Sequence, residues 1–195
     1  MKSLSEMVRL SRRIRVIGFD DAPFHKAPGS RVNVSGIVCS GTRFEGMLWG
    51  ELTRDGLDAT DVISTLLLES KFHAQVHLVL LDGITFGGFN LIDLPELADR
   101  LARPCVAVMR RRPDLDAIRD ILPRLSDPEE RLARLARAGP IHAHAGFVFQ
   151  VVGAAPEVTA TVLQQITDDG QVPEALRIAH LIGGAIKTGQ SGRRA

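Results

Sequence analysis

Residues 76–90 read V-H-L-V-L-L-D-G-I-T-F-G-G-F-N, and this segment decides the predicted fold. Residues 76–81 are apolar except for His77, and Asp82 and Gly83 then interrupt the apolar run. A short apolar run that ends in a turn is typical of a parallel strand buried on both faces of its sheet. Ligands of open α/β sheets bind outside the carboxyl ends of the strands. Asp82 therefore stands where a catalytic carboxylate would be placed.

A second apolar segment ends in the same way. Residues 15–19, R-V-I-G-F, lead directly into Asp20 and Asp21. If the two strands are parallel neighbours, their terminal carboxylates face each other across one strand spacing of about 4.8 Å. Carboxylates at that separation can share divalent cations. Taken singly, Asp20 and Asp82 are also ordinary turn residues at strand ends, but their pairing favours a functional interpretation.

The composition is that of a globular protein with one substantial core, and we expect a single domain over residues 1–195. Lys and Arg number 24 and Asp and Glu number 23. This balance creates no global field toward nucleic acid or a membrane, so any such affinity requires a local patch. The basic residues near the N-terminus are most simply interpreted as a solvated face. They are Lys2, Arg9, Arg12 and Arg13.

The two cysteines, Cys39 and Cys105, both lie in apolar, strand-like runs. This setting favours reduced thiols in the core over a disulfide. No apolar run approaches the roughly 18 residues that a membrane span requires, and the N-terminal segment lacks the apolar centre of a signal peptide. The sequence therefore predicts a cytoplasmic protein.

The order of the predicted elements changes along the chain from all-β to alternating. Strands are predicted at 15–19, 32–39, 44–52, 76–81, 104–109 and 146–152. Helices are predicted at 58–70, 93–101, within 113–137, 155–167 and 173–187. Three antiparallel strands are thus followed by alternating helices and parallel strands. A mixed α/β sheet with helices on both faces and the first strand at its centre satisfies this order, which is the ribonuclease H-like arrangement.

A two-metal site would use a third carboxylate at the rim of the sheet. Asp58 and Asp61 at the start of the first long helix are candidates, because they lie one helical turn apart on the same face. For Asp58 a role as the helix N-cap is favoured over a role as a ligand, since Asp is a preferred capping residue.

His180 lies in P-E-A-L-R-I-A-H, on the helical stripe that also carries Glu174 and Arg177. Such a histidine could bind a metal, polarise a phosphate or carry a proton, and a purely structural role is equally compatible with the residues alone. His142 and His144 have strand spacing and could chelate a metal, but an exposed strand end is the favoured interpretation.

Three arginines, Arg110, Arg111 and Arg112, follow the predicted strand at 104–109. At the carboxyl end of a strand their guanidinium groups could bind phosphates, and Arg193 and Arg194 could add to them. A solvated charged face is the equally favoured alternative.

Four segments resemble those of the endonuclease dU family, which is related to endonuclease V. They are G-F-D-D-A-P-F at 18–24, D-G-L-D-A-T at 55–60, L-D-G-I-T-F-G-G-F-N at 81–90 and P-E-A-L-R-I-A-H at 173–180. The resemblance implies a ribonuclease H-like fold. It also implies a protein that uses metal-binding carboxylates to cut a phosphodiester near a deaminated base.

The resemblance further assigns roles to residues. The glycine, apolar residue and aspartate of the first-strand motif make Asp20, rather than Asp21, the implied metal ligand. Asp82 matches the second aspartate, and His180 matches the last position of the C-terminal motif. Asp61 is the nearest analogue of a glutamate that endonuclease V carries before its first crossover helix.

These observations predict an endonuclease dependent on Mg²⁺ or Mn²⁺, acting on nucleic acid with deaminated bases, such as deoxyuridine in DNA, in DNA repair. Asp20, Asp61 and Asp82 would bind the metal, and His180 would assist at the scissile phosphate. The predicted nucleic-acid-binding residues are Arg110, Arg111, Arg112 and Arg177. DNA is favoured over RNA as the partner. The alternative is a nuclease-like module that binds nucleic acid or a protein without cutting.

Overall fold

The computed structural model describes residues 3–27 and 29–192. The strands are β1 (Arg15–Asp21), β2 (Arg31–Ser40), β3 (Arg43–Thr53), β4 (Leu78–Asp82), β5 (Thr85–Phe86), β6 (Asn90–Leu91), β7 (Cys105–Met109), β8 (His142–His144) and β9 (Phe147–Val152). The helices are α1 (Leu4–Arg9), α2 (Ala59–Leu68), α3 (Leu94–Leu101), α4 (Leu115–Ile121), α5 (Pro128–Arg137), α6 (Pro156–Gln165) and α7 (Glu174–Thr188). Arg193 and Arg194 lie outside the described residues.

Seven strands form one mixed sheet in the order β3-β2-β1-β4-β7-β9-β8. Strands β1, β2 and β3 are antiparallel neighbours, and β1, β4 and β7 are parallel neighbours. The first strand is therefore central, and the predicted mixed α/β arrangement is confirmed. One detail differs, because β9 runs antiparallel to β7. The β8–β9 hairpin reverses the chain at Ala145 and Gly146, both with positive φ, directly before β9 begins.

Helices cover both faces of the sheet. Successive apolar side chains of β1 point to opposite faces, so each face must be covered. Ile17 and Phe19 belong to a core cluster that includes the buried residues of α2 and α3. Val16 faces the opposite way, into a second cluster with α1, α6 and α7. Each central strand is thus buried on both sides, which explains its nearly continuous apolar sequence.

Cys39 and Cys105 are buried free thiols, as the sequence predicts. The basic N-terminal segment contains the short helix α1, which begins with a capping box between Ser3 and Glu6. Among the described residues, no helix has both the length and the apolar character that crossing a membrane requires.

Candidate metal centre

The register of two parallel strands brings Asp20 and Asp82 to one edge of the sheet. Phe19 of β1 pairs with Leu81 of β4, and the next residue of each strand is an aspartate. Because the carboxyl ends of parallel strands meet at the same edge, these two carboxylates face a shared space. The residues before them are fully buried, so the core holds both strand ends in place.

Helix α7 brings His180 to the same edge because it packs unusually close to β1. A Cβ atom at Gly18 would lie 2.9 Å from the backbone of Ala175, so only glycine permits this approach. Five residues further along α7, His180 Nδ1 lies 3.0 Å from Asp20 Oδ2. The glycine two positions before Asp20 thus determines where the histidine stands.

The three side chains form one compact group. A ligand atom from each of Asp20, Asp82 and His180 lies within 4.8 Å of the other two. Asp20 is 6% exposed, whereas Asp82 and His180 are partly exposed. The Ser35 hydroxyl donates to the backbone carbonyl of Ala179 at 3.0 Å, which ties β2 to α7 beside the histidine. Packing and hydrogen bonds within the protein therefore position the group.

The surroundings of the group disfavour the ionised form of its aspartates. Burial, together with the negative charges of Asp82 and Asp21, raises the pKa of Asp20 to about 8, whereas Arg110 opposes the shift. Burial also raises the pKa of Asp21 to about 6, and the backbone N–H that Gly87 donates to its carboxylate opposes this shift. A cation bound beside these carboxylates would stabilise their ionised forms.

The glycine-rich segment after β4 forms one wall of the centre. Gly83 has a φ of +83°, which lets the chain turn sharply after Asp82. The N–H of Gly87 then donates to Asp21 and connects this segment to the end of β1. The segment is thus a structural clamp on the two strand ends.

An open cleft of about 810 Å³ lies above the centre. Its lining combines the acidic group, two arginines and apolar side chains. These residues are Asp20, Asp21, Ala22, Pro23, Phe24, Asp82, Gly83, Val108, Met109, Arg110, Arg111, Pro113, Asp114, Ala117, Ile118 and His180. Arg110 Nη2 lies 3.5 Å from Asp82 Oδ2. A polyanion that enters this cleft would meet positive charge directly beside the carboxylates.

Three further residues that the sequence predicts for the site do not lie at the centre, namely Asp61, Arg112 and Arg177. Asp61 was expected as a third ligand, but its side chain is 64% exposed and pairs with Arg100 of α3. This side of α2 faces α3, which is why the carboxylate cannot join the group. Arg112 is exposed and does not line the cleft. Arg177 is bound through two hydrogen bonds to Glu174.

Asp58 stands at the N-cap position of α2, as the sequence predicts, but its side chain makes no capping hydrogen bond and is not part of the group. Its carboxylate accepts hydrogen bonds from the N–H and hydroxyl of Thr53 and from the Asn90 side chain. The Asn90 amide oxygen in turn accepts from the N–H of Ala59 and caps the helix.

Arg131 is a buried structural residue that the sequence analysis missed. Its guanidinium group donates to the backbone carbonyls of Asp55, Gly56 and Phe89 and thereby fixes α5 against two loops. The available signal was its position one helical turn before Leu135, on the buried side of α5.

The sheet order and the helices on both faces classify the fold as ribonuclease H-like, of the endonuclease V type. The crystal structure of Ciona intestinalis endonuclease V, in complex with a 24mer DNA containing an inosine followed by a ribo-adenosine, matches with a TM-score of 0.54. The match covers 87% of this chain and 84% of that chain at 14% identity. At this identity the likeness concerns the fold.

The sequence comparisons then identify the family. The family model described as Endonuclease dU matches residues 12–187, and the chain belongs to this family. A UPF0215 protein of Methanopyrus kandleri is 36% identical over 185 residues, covering 91% of this chain and 93% of the relative. A protein of unknown function from Archaeoglobus fulgidus has a crystal structure that matches with a TM-score of 0.85 at 35% identity, covering 89% and 98% of the two chains.

Proposed function

We propose that the protein is a metal-dependent endonuclease that hydrolyses phosphodiester bonds in nucleic acid bearing deaminated bases, such as deoxyuridine in DNA, and that it acts in DNA repair. The observation that carries this proposal is the group of Asp20, Asp82 and His180, whose ligand atoms meet within 4.8 Å at the floor of an open cleft. The description of the family and the inosine-containing DNA bound by an endonuclease V of the same fold support it.

The residues of the centre fit Mg²⁺ or Mn²⁺. Carboxylate oxygens are the ligands that both ions prefer, and Asp20 and Asp82 would hold the cation. The raised pKa of Asp20 shows that its negative form is disfavoured without a cation, and a bound divalent cation would stabilise that form. When bound, such a cation would stabilise negative charge on the phosphate and lower the pKa of the attacking water.

His180 would act at the scissile phosphate. Its Nδ1 is engaged by Asp20, which fixes the orientation of the ring, and the side chain lines the cleft. Among the described residues, Nε2 makes no hydrogen bond and is thus available to substrate. A histidine in this position can donate a hydrogen bond to a phosphate oxygen or hold a proton near the leaving oxygen.

The arginines at the cleft would bind the phosphates that flank the scissile bond. Arg110 and Arg111 both line the cleft, and guanidinium groups bind phosphate through two parallel hydrogen bonds. Arg112 would contact phosphates outside the cleft. Arg177 would contribute less, because Glu174 already occupies its guanidinium group.

Calorimetric titration with Mn²⁺ tests the centre before any substrate is known. We expect binding heat for the wild-type protein and for Asp61→Asn, because Asp61 lies outside the group, and loss of that heat for Asp82→Asn. Equal Mn²⁺ affinity of folded Asp82→Asn and wild-type protein would exclude the proposed site. Cleavage of oligonucleotides containing deoxyuridine or inosine, in DNA and in RNA, then tests the reaction and the choice of substrate.

A second function, a nucleic-acid-binding or protein-binding module that does not cut, is favoured by one observation. Among the described residues, the group contains two carboxylates, and the expected third one, Asp61, pairs with Arg100 instead. This alternative predicts full-strength oligonucleotide binding in EDTA and no cleavage of any substrate in Mg²⁺ or Mn²⁺.

A further inference from the structure

A second cleft, about 20 Å from the metal centre, lies at the opposite end of the sheet and is basic. The distance follows from the ~3.3 Å rise of each residue between Arg15 and Asp21 of β1. The cleft has a volume of about 510 Å³, and Arg12, Arg13 and Arg43 line it. A smaller cleft of about 410 Å³ shares Arg12 and Arg13. We refer to the two together as the basic cleft.

The first wall of the basic cleft is fixed by the way in which α1 ends. The N–H of Ser11 donates to the carbonyl of Val8, and the N–H of Arg12 donates to the carbonyl of Met7. These two bonds form a Schellman motif, with Ser11 at a φ of 48° in the position that usually carries glycine. The backbone that carries Arg12 and Arg13 is therefore a defined turn and not a frayed end.

The second wall is the turn between β2 and β3. The N–H of Gly41 donates to the carbonyl of Ile14 at 2.8 Å and ties this turn to the segment that precedes β1. Arg43 is held by Glu45, whose carboxylate also accepts from Arg15. The hydroxyl groups of Ser11 and Thr42 complete a lining rich in hydrogen-bond donors.

The charge of the basic cleft is not balanced. Glu45 serves two arginines, Arg15 and Arg43. In the described part of the chain, neither Arg12 nor Arg13 forms a salt bridge with an acidic side chain. Because the whole chain is nearly neutral, this concentration of positive charge is local and lies at the far end of the sheet from the buried aspartates.

We infer that the basic cleft binds phosphate groups. Guanidinium groups on a fixed backbone, flanked by hydroxyl donors, match the charge and the acceptor geometry of a phosphate. The phosphate can belong to the backbone of a nucleic acid or to a free polyphosphate, and the chemistry at the arginines is the same. This site is separate from the metal centre, and binding there does not require nuclease activity.

The test compares the wild-type protein with the Arg12→Gln/Arg13→Gln double variant in EDTA. The control is Arg9→Gln, which removes a nearby charge that does not line the cleft. One probe is a fluorescein-labelled single-stranded 24mer DNA, followed by anisotropy between 50 and 200 mM NaCl. The second probe is tripolyphosphate, followed by calorimetry. With two phosphates released from contact, we expect a DNA affinity roughly tenfold lower and a salt slope smaller by about 1.4.

The two probes separate the sources of phosphate. Loss of binding with both probes assigns the cleft to free polyphosphates as well as nucleic acid, and loss with DNA alone assigns it to the nucleic-acid backbone. Equal binding by the double variant and the wild-type protein, or no binding of either probe by the wild-type protein, overturns the inference. Melting temperatures of all three proteins verify folding. Because cleavage is not measured, failure of the proposed nuclease activity leaves this test intact.

Discussion

Two pairs of aspartates occupy comparable positions, after strands or before helices, and the structure treats them in opposite ways. Asp58 is surrounded by donors, with bonds from Thr53 and Asn90, and Asp55 accepts from the N–H of Phe89. Asp20 and Asp82 instead face each other, and Arg110 approaches only at 3.5 Å from Asp82. Asp55 and Asp58 thus lie among hydrogen-bond donors, whereas Asp20 and Asp82 contact His180 and Arg110 but also lie beside each other's carboxylate.

The difference indicates which pair serves a ligand. A buried carboxylate that receives several hydrogen bonds stabilises the loops that supply them. A buried carboxylate beside a like charge destabilises the folded protein, and such groups persist where something external compensates them. By this criterion we interpret Asp55 and Asp58 as structural residues and propose Asp20 and Asp82 as ligand-binding residues.

The largest expected effect follows from removing a carboxylate of the functional pair. In Asp20→Asn or Asp82→Asn, cleavage of a deoxyuridine-containing oligonucleotide in Mn²⁺ should fall by about 10³-fold, because metal stabilisation of a transition state is worth several kcal/mol. Initial rates from gel electrophoresis measure this. Asp61→Asn, the matched control, should keep nearly the wild-type rate. Comparable cleavage rates for the wild-type protein and all three variants would show that neither Asp20 nor Asp82 is needed for cleavage.

Removing a carboxylate of the structural pair should affect stability instead. Asp58→Ala leaves the N–H and hydroxyl of Thr53 without their acceptor and removes one of the two hydrogen bonds that Asn90 Nδ2 donates, so the free energy of unfolding should fall by about 3 kcal/mol. Urea denaturation measures this loss. Mn²⁺ affinity of the folded variant should stay at the wild-type value. If Asp58→Ala lost metal binding without losing stability, the assignment of the two pairs would be reversed.

The pH dependence of stability should separate the pairs in metal-free protein. The pKa of Asp20 is raised to about 8, so the unfolded chain releases this proton at lower pH than the folded one. Wild-type stability is therefore lost as the pH rises from about 4 toward 8. Asp20→Asn should escape this loss and gain on the order of 4 kcal/mol relative to the wild-type protein between pH 5 and pH 8, because each pH unit between the two pKa values is worth about 1.4 kcal/mol.

Urea denaturation in EDTA at several pH values measures this gain. Asp61→Asn serves as the control, because its partner Arg100 and its exposure leave no comparable effect of burial. If the free energies of unfolding of Asp20→Asn and the wild-type protein changed in parallel with pH, the pKa of Asp20 would not be raised in the folded protein.

The smallest effect is expected for Asp61 itself. Its pairing with Arg100 is exposed to solvent, and Arg100 keeps Glu96 as a second partner. Asp61→Asn should therefore change the free energy of unfolding by less than about 1 kcal/mol. Thermal denaturation is sufficient to measure it. Loss of Mn²⁺ binding in this variant would restore Asp61 as a ligand.

Much of the fold could be predicted from local patterns. The apolar runs that end at Asp20 and Asp82 identify two buried parallel strands, and their bounds agree with β1 and β4 to within a few residues. The direction of β9 was wrong, because the β8–β9 hairpin that reverses the chain leaves only a weak signal in the sequence. Short strands and turns without an Asn-Gly or Asp-Gly pair are difficult to recognise.

The candidate site could be predicted only where the backbone alone decides position. The positions of Asp20 and Asp82 follow from strand ends, but the sequence does not say which side of α2 faces α3, where Asp61 pairs with Arg100. The sequence likewise places Asp58 at the N-cap of α2 but does not show what its side chain binds. The side chain that accepts a hydrogen bond from the first turn of α2 is that of Asn90, 31 positions away from Ala59, and no local rule identifies it.

The sequence by itself determined that Asp20 and Asp82 stand at strand ends, that the central strands are buried on both faces, and that the chain turns at the glycine after Asp82. These are properties of neighbouring residues, and backbone periodicity translates them directly into structure. Only the tertiary structure decided which polar groups meet. The close packing of α7 at Gly18 brings His180 to Asp20 across 160 positions, and the end of α1 brings Arg12 and Arg13 into a shared cleft. Such contacts depend on the packing of distant segments, which no local pattern encodes.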